Sequence, residues 1–335
     1  MGGHDMIGKI GLVAAAGALA VTIAGVAVPA GAETTLRAAG PWPKTHPLIQ
    51  SFHRFIEKTN AAGKGVLQIR YVGGPEITKP REQPLAMRNG LFDMLYGPPA
   101  YYLGLFPEGD FANATKTAME QRASGAYELI RKAMKEKMNA RFIARFDSGL
   151  GLHLFLKSEP KRTASGGIDL SGLKLRASPT YRDLIKDLGA TAVVMGPQEV
   201  YTALERGVID GMGYSLTDIR ARGVQKFVKY RIDPAFSHAT ISLVMNHPKW
   251  DSMPKQAQHF LETQAAAWEK ESYRYWKDKA AEEQTALAKL GMKTIDLQGE
   301  AGREYLATFL KGPWTRMEQN PKVTIDMKEL RKRAY

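Results

Sequence analysis

Apolar residues in this chain alternate between helical and strand-like spacing, and one such change of rhythm occurs twice. Val200, Ala203, Leu204 and Val208 recur every three or four residues, which marks one face of a helix. A strand-like ATAVVM and a Gly-Pro turn precede that helix, and Val208 and Ile209 open the next apolar stretch. Gly207 stands where a chain leaving a helix adopts the left-handed conformation that a Cβ disfavours. The same grammar runs through VLQIRYVGGP and the helix before Gly90. Glu82 matches Glu199, Ala86 matches Ala203, Met87 matches Leu204, Gly90 matches Gly207 and Asp93 matches Asp210, all at one constant separation. Two β–α–β units predict two α/β lobes, and the cleft between such lobes is a natural place to hold a small molecule.

The remaining pattern fills in the lobes. Thr34–Ala39 reads as a first strand, followed by the turn Gly40-Pro41-Trp42-Pro43. A helix is predicted from Pro47 to about Asn60, with Thr45 as its cap and Gly63 ending it. Helices around 113–139 lead to strands at Ala140–Arg145 and Leu152–Leu156, and Ile241–Met245 reads as a buried strand returning to the first lobe. From Pro254 to Lys289 there is no glycine and no further proline, with Ser252 placed to cap. That predicts one very long helix bracing both lobes. The expected partition is a signal peptide over 1–32, a first lobe of 33–151 plus 243–280, and a second of 152–242 plus 281–335 with C-terminal helices.

The N-terminus bears on compartment. Ile10 to Val28 is apolar or small throughout, follows Lys9 and runs into Ala30-Gly31-Ala32. This is the layout of a secretory signal peptide cleaved after Ala32, so export to the periplasm is expected; a retained membrane anchor is the alternative. At 335 residues the chain can bury a sizeable core, and its 44% hydrophobic and 24% charged residues are ordinary for a soluble globular protein. With no cysteine, disulfides, thiol catalysis and thiolate metal sites are excluded. The net charge of +13 is scattered among acids, and only the tail KELRKRAY is densely basic. No nucleic-acid signature accompanies it, so no nucleic-acid partner is expected.

The stretch GLKLRASPTYRDLIKDLGATAVVMGPQEVYTALERGVIDGMGY resembles the signature region of the solute receptors of tripartite ATP-independent periplasmic (TRAP) transporters. GGPEI and RNGLFDM in the first lobe, SLVMNHPKWDSMP and the long helix extend the resemblance over essentially the whole mature chain. It implies a two-lobed α/β fold like that of periplasmic binding proteins, with the ligand cleft between the lobes. It also implies a receptor that closes around a small organic acid and hands it to TRAP membrane subunits. A monomer without a cofactor is expected. Arg176 ends the short strand Leu173-Lys174-Leu175 and, by the resemblance, clamps the ligand carboxylate. A guanidinium suits that task because its planar fork matches two carboxylate oxygens. Tyr214 and Ser215 occupy the matching strand end, where Tyr214 can stack on a ligand and donate a hydrogen bond. Some family members bind a metal through a carboxylate in this loop; Ser215 stands about there, and no metal is expected. A second arginine upstream of the motif serves parts of the family. Here His153 in LGLHLFLK either takes its place or is a structural histidine.

Trp42, Glu76, Tyr101 and Tyr102 lie on predicted strand-to-helix loops of the first lobe and are candidates for the opposite wall. Adjacent tyrosines in an extended segment point opposite ways, and Tyr102 is the one expected to face the ligand. Glu76 suits an acid only if it accepts from a ligand hydroxyl. An aromatic lining points to an acid with an apolar or aromatic body. No nucleophile elbow, zinc-protease motif, phosphate-binding loop or dinucleotide fingerprint is present, so no enzyme is expected. A receptor reporting to a signalling protein, and a hydrolase built on His153 and nearby acids, are the alternatives.

Overall fold

The computed structural model describes residues 33–114 and 117–334, and the expected leader at 1–32 lies outside the described residues. Two sheets dominate. The first runs, in spatial order, Leu67–Gly73, Thr34–Ala39, Met94–Gly97, Ile241–Asn246 and Ala140–Phe146. The second runs Thr191–Val194, Lys174–Ala177, Gly211–Ser215, Gly151–Leu156, Tyr230–Asp233 and Lys293–Asp296. In each, the first three strands are parallel and the fourth is antiparallel to both its neighbours. That fourth strand is donated across the molecule: Ile241–Asn246 arrives from the second lobe, and Gly151–Leu156 from the first.

The repeated sequence unit is repeated in hydrogen bonds. Gly90 (φ 80°) and Gly207 (φ 70°) both turn left-handed after their helices. Leu91 N donates to Ala86 O and Val208 N to Ala203 O, each at 2.9 Å. The Asp93 carboxylate accepts from Arg37 N at 2.8 Å, as that of Asp210 does from Lys174 N at 2.8 Å. Even the donated strands match. Asn246 N donates to Asp93 O and Lys157 N to Asp210 O, each at 2.9 Å. Their side chains then cap the two equivalent helices, Asn246 at Met87 O and Lys157 at Leu204 O. The units part company before the helix: nine residues separate strand Leu67–Gly73 from helix Gln83–Arg88, against five between Val194 and Val200.

Each sheet is packed on both faces, as the period of two along its strands requires. Met94, Tyr96, Leu243 and Met245 enter one core of the first lobe, and Leu95 and Val244 the other. In the second lobe Leu154, Leu156 and Leu175 enter one core, and Phe155 and Met212 the other.

The long helix forms over Lys255–Lys289. Leu261, Trp268 and Trp276 pack in the first lobe and Leu287 in the second. Ser252 instead closes the preceding short helix His247–Asp251, and the first-lobe helix Pro47–Ala62 is capped by His46, not Thr45. A second helix, Gly299–Glu318, also spans the lobes: Tyr305 and Phe309 lie in the second-lobe core, Trp314 and Met317 in the first. With Leu330 and Ala334 of the helix Met327–Ala334, the C-terminal stretch expected in the second lobe thus returns to the first. Among the described residues no helix is long and apolar enough to cross a membrane.

Candidate functional site

Leu175 and Ala177 point into one second-lobe core, so the alternating strand turns Arg176 to the opposite face, beside its register partner Met212. Arg176 is buried, and its charge is held by dipoles. Nη1 donates to Gly213 O at 3.1 Å and to the Tyr181 hydroxyl, while Nε and Nη2 both donate to Met195 O at 3.3 Å. Tyr181 OH in turn donates to Gly213 O at 2.6 Å. Gly213 is needed for this stack, because a Cβ there would stand 2.5 Å from the Tyr181 ring.

Tyr214 follows on the same strand, between two guanidinium groups. The Arg176 Cζ lies 5.0 Å from its ring centroid and that of Arg222 5.2 Å. Both distances suit cation–π attraction. Burial pushes the Tyr214 hydroxyl well above its usual range, so it stays a neutral donor.

Across from this cationic face stand first-lobe aromatics. Trp42 stacks on His46 with centroids 5.0 Å apart and lies 6.4 Å from Tyr101, whose ring has Arg81 at 5.9 Å. Burial, then the positive charge of Arg222, pulls His46 down to about 4. Burial pushes Tyr101 up, against the opposing charges of Arg81, Arg176 and Arg222. Trp42, His46 and Tyr101 follow the carboxyl ends of Thr34–Ala39 and Met94–Gly97, as Arg176 and Tyr214 end their own strands. Loops at the carboxyl ends of parallel strands are where open α/β sheets collect ligands. Two strand-end loop sets, one aromatic and one cationic, thus lie within each other's electrostatic reach.

Residues 38–311 match the family described as bacterial extracellular solute-binding protein, family 7 (DctP). The chain belongs to that family. It is 27% identical over 186 residues to a solute-binding protein of Roseobacter denitrificans, covering 55% of this chain and 56% of that protein, so the match spans about half of that relative's length. A solute-binding protein of Albidiferax ferrireducens is 24% identical over 278 residues, covering 80% and 79%. Among solved structures, a TRAP transporter solute-binding protein from Bordetella bronchiseptica, described with copurified calcium and picolinate, superposes with a TM-score of 0.75 at 19% identity. That superposition covers 90% of this chain and 92% of the other.

Within this family-7 chain the other expected site residues take varied places. Tyr102 is 2% exposed in the first-lobe core with Phe106 and Tyr127, so Tyr101, not Tyr102, is the member of the pair beside Trp42. Glu76 is exposed and turned onto its own loop, accepting from Gly74 N at 2.8 Å, which lowers its pKa; it braces a turn. His153 is the register partner of Tyr214 but gives its Nδ1 to Asp233 Oδ1 at 2.8 Å. Arg231, two residues earlier on the same strand, grips that carboxylate too, Nε to Oδ1 at 2.8 Å and Nη2 to Oδ2 at 2.7 Å, so His153 serves to tie its strand to the neighbouring one. Ser215 is half-buried and pairs with Thr217, its Oγ 3.2 Å from that hydroxyl. Among the described residues no group of three or more His, Asp or Glu is placed to hold a metal ion.

The sequence pattern did not single out Arg222 or His46. Arg222 lies one helical turn past Asp218 and resembles an ordinary surface i,i+4 pair. Its place beside Tyr214 becomes visible only once the short helix Asp218–Ala221 folds back over the strand end.

Proposed function

We propose that this chain is a periplasmic receptor that captures a small organic acid on Arg176, closes its lobes over it and delivers it to TRAP-type membrane subunits. The carrying observation is Arg176, a buried guanidinium with no carboxylate partner among the described residues, fixed by Met195 O, Gly213 O and Tyr181 at a strand end within electrostatic reach of Tyr101. A buried cation without an anion is expensive unless a ligand supplies one. The aromatic wall suits an acid with a flat or apolar body. The picolinate described for the Bordetella protein is such an acid and supports this reading.

A thermal-shift screen of the mature protein against mono- and dicarboxylates, 2-oxo, hydroxy, aromatic and sugar acids tests the proposal, with neutral sugars as controls. An acid at a hundred times its dissociation constant adds about 2.7 kcal/mol of stability. Arg176→Ala should weaken the hit by about 2–5 kcal/mol, the cost of truncating a buried charge pair, and Arg176→Lys should also bind more weakly, because an ammonium cannot keep the bonds to Met195, Gly213 and Tyr181 while meeting the acid. Because Arg176 also stitches Met195 and Gly213 together, binding is scored by titration on the folded fraction. Wild-type affinity in either variant, or stabilisation by neutral compounds alone, would refute the clamp.

A further inference from the structure

A guanidinium has five N–H groups, and four of those on Arg176 are spent inside the protein: two on Met195 O, one on Gly213 O and one on Tyr181. One N–H remains for a ligand unless internal bonds break. Arg222, at the same tyrosine ring, is in the opposite condition. Its nearest acid, Asp218, is 3.8 Å from Nε, too far for a hydrogen bond, and that Nε is buried with no acceptor. Among the described residues its guanidinium donates no hydrogen bond, although its side chain is only 27% exposed. A buried donor left unmade is costly, so such a group is expected to have a partner in the working state.

We propose that Arg222 is the second anion-binding residue of the site, and that the ligand is an acid with two anionic groups. One group lies on Arg176, and the second, a carboxylate or a phosphate, is held by the Arg222 fork. This rests on the receptor reading above and adds the ligand's charge and the residue that selects it. Arg222 acts as the specificity determinant: it discriminates diacids from monoacids of the same body, while Arg176 is required by both.

The test is calorimetric titration of the mature wild type, Arg222→Gln and Arg222→Lys with matched probes. Benzoate is compared with phthalate, isophthalate, terephthalate and 4-phosphonobenzoate, and crotonate with fumarate. The phosphonate arm separates a phosphate from a carboxylate preference. In the wild type a diacid should bind about tenfold to a hundredfold tighter than its monoacid, the range of a charge-assisted hydrogen bond. Arg222→Gln should weaken diacid binding about tenfold or more beyond any loss in monoacid binding, and Arg222→Lys should keep part of the preference. Equal binding of mono- and diacids by the wild type, or equal losses for both in Arg222→Gln, overturns the role of Arg222 and leaves the receptor reading standing. If no acid binds the wild type, both fall. Melting of the unliganded variants checks their folding, and Arg222→Lys carries the comparison if Arg222→Gln does not fold.

Discussion

Arg316 ties the two lobes together through one guanidinium. Nε and Nη2 donate to Asp110 of the first lobe at 2.6 and 3.2 Å, Nη1 to Asp183 of the second, and Nη2 also to Thr180 O at 2.9 Å. The two carboxylates differ in surroundings: the Asp110 side chain is 3% exposed and that of Asp183 31%. Among the described residues, Asp110 without Arg316 keeps only the Asn113 amide at 2.9 Å as a side-chain donor, a buried charge nearly stranded. Stranding a buried ion costs about 3–5 kcal/mol, and the Asn113 bond and the partial exposure of Arg316 reduce this to about 2–4 kcal/mol for Arg316→Gln. The Asp183 pairing faces water and belongs with surface ion pairs, below about 1 kcal/mol. Urea unfolding of Arg316→Gln, Asp110→Asn, Asp183→Asn and the two double variants gives both coupling energies. The Asp110 coupling should be about 2–3 kcal/mol and indifferent to salt, and the Asp183 coupling smaller and weakened by salt. Equal couplings, or a loss under about 1 kcal/mol in Arg316→Gln, would refute the argument that burial ranks these two pairs.

Two further predictions concern the crossings and the histidines. Asp147, fully buried at the first crossing with φ 62°, accepts from Ser51 Oγ and Trp276 Nε1, each at 2.7 Å, and from Tyr96 OH. Asp147→Ala should cost about 3–5 kcal/mol in urea unfolding, and Asp147→Asn clearly less, since asparagine keeps an acceptor and tolerates the left-handed backbone. His46 and His238 are both held at about 4, chiefly by burial. Their folded pKa values lie below the unfolded value of about 6.5, so their stability contribution is whole above that pH and lost as pH falls from 6.5 towards 4. Near pH 5 the slope approaches about 1.4 kcal/mol per pH unit for each histidine, and His46→Gln or His238→Gln should flatten the stability profile over that window.

Much of this architecture was legible because it is repetitive. The helix-glycine-aspartate phrase specifies a left-handed exit and a carboxylate that pins the neighbouring strand, so Gly90 and Gly207, and Asp93 and Asp210, do the same work twice. The strand carrying Arg176 was legible as the short apolar run Leu173-Lys174-Leu175, and its observed alternation, with Leu175 and Ala177 in a core, is what turns Arg176 to the other face. What escaped depends on long-range geometry. Of Tyr101 and Tyr102, alternation allows only one to face the cleft, but which one is set by the short helical turn Pro99–Tyr101, where strand alternation no longer applies. Arg222 reaches the Tyr214 ring only through the fold-back of the helix Asp218–Ala221, which no local sequence pattern marks. The C-terminal stretch returns to the first lobe because Trp314 and Met317 continue a helix begun in the second, a handover no local pattern marks.

The division of chemistry between the lobes bears on what drives closure. Arg176 is locked by its internal bonds, so on the proposed reading an acid meets a preformed cation on the second lobe at little side-chain entropy cost. That contact exists whether the lobes are open or closed and so cannot by itself favour either state. On that reading only the ligand's contacts across the cleft, with Trp42 and Tyr101, would differ between the states. On the proposed reading, the ligand's body therefore sets the degree of closure and its acid groups set occupancy. Formate or acetate, too small to reach both walls, should bind weakly and leave the solution radius of gyration unchanged. An acid with a planar ring should shrink it, and Trp42→Ala should abolish the shrinkage while sparing the charge contact with Arg176. Compaction by acetate as large as that by an aromatic acid would show instead that neutralising the second-lobe cations is what draws the lobes together.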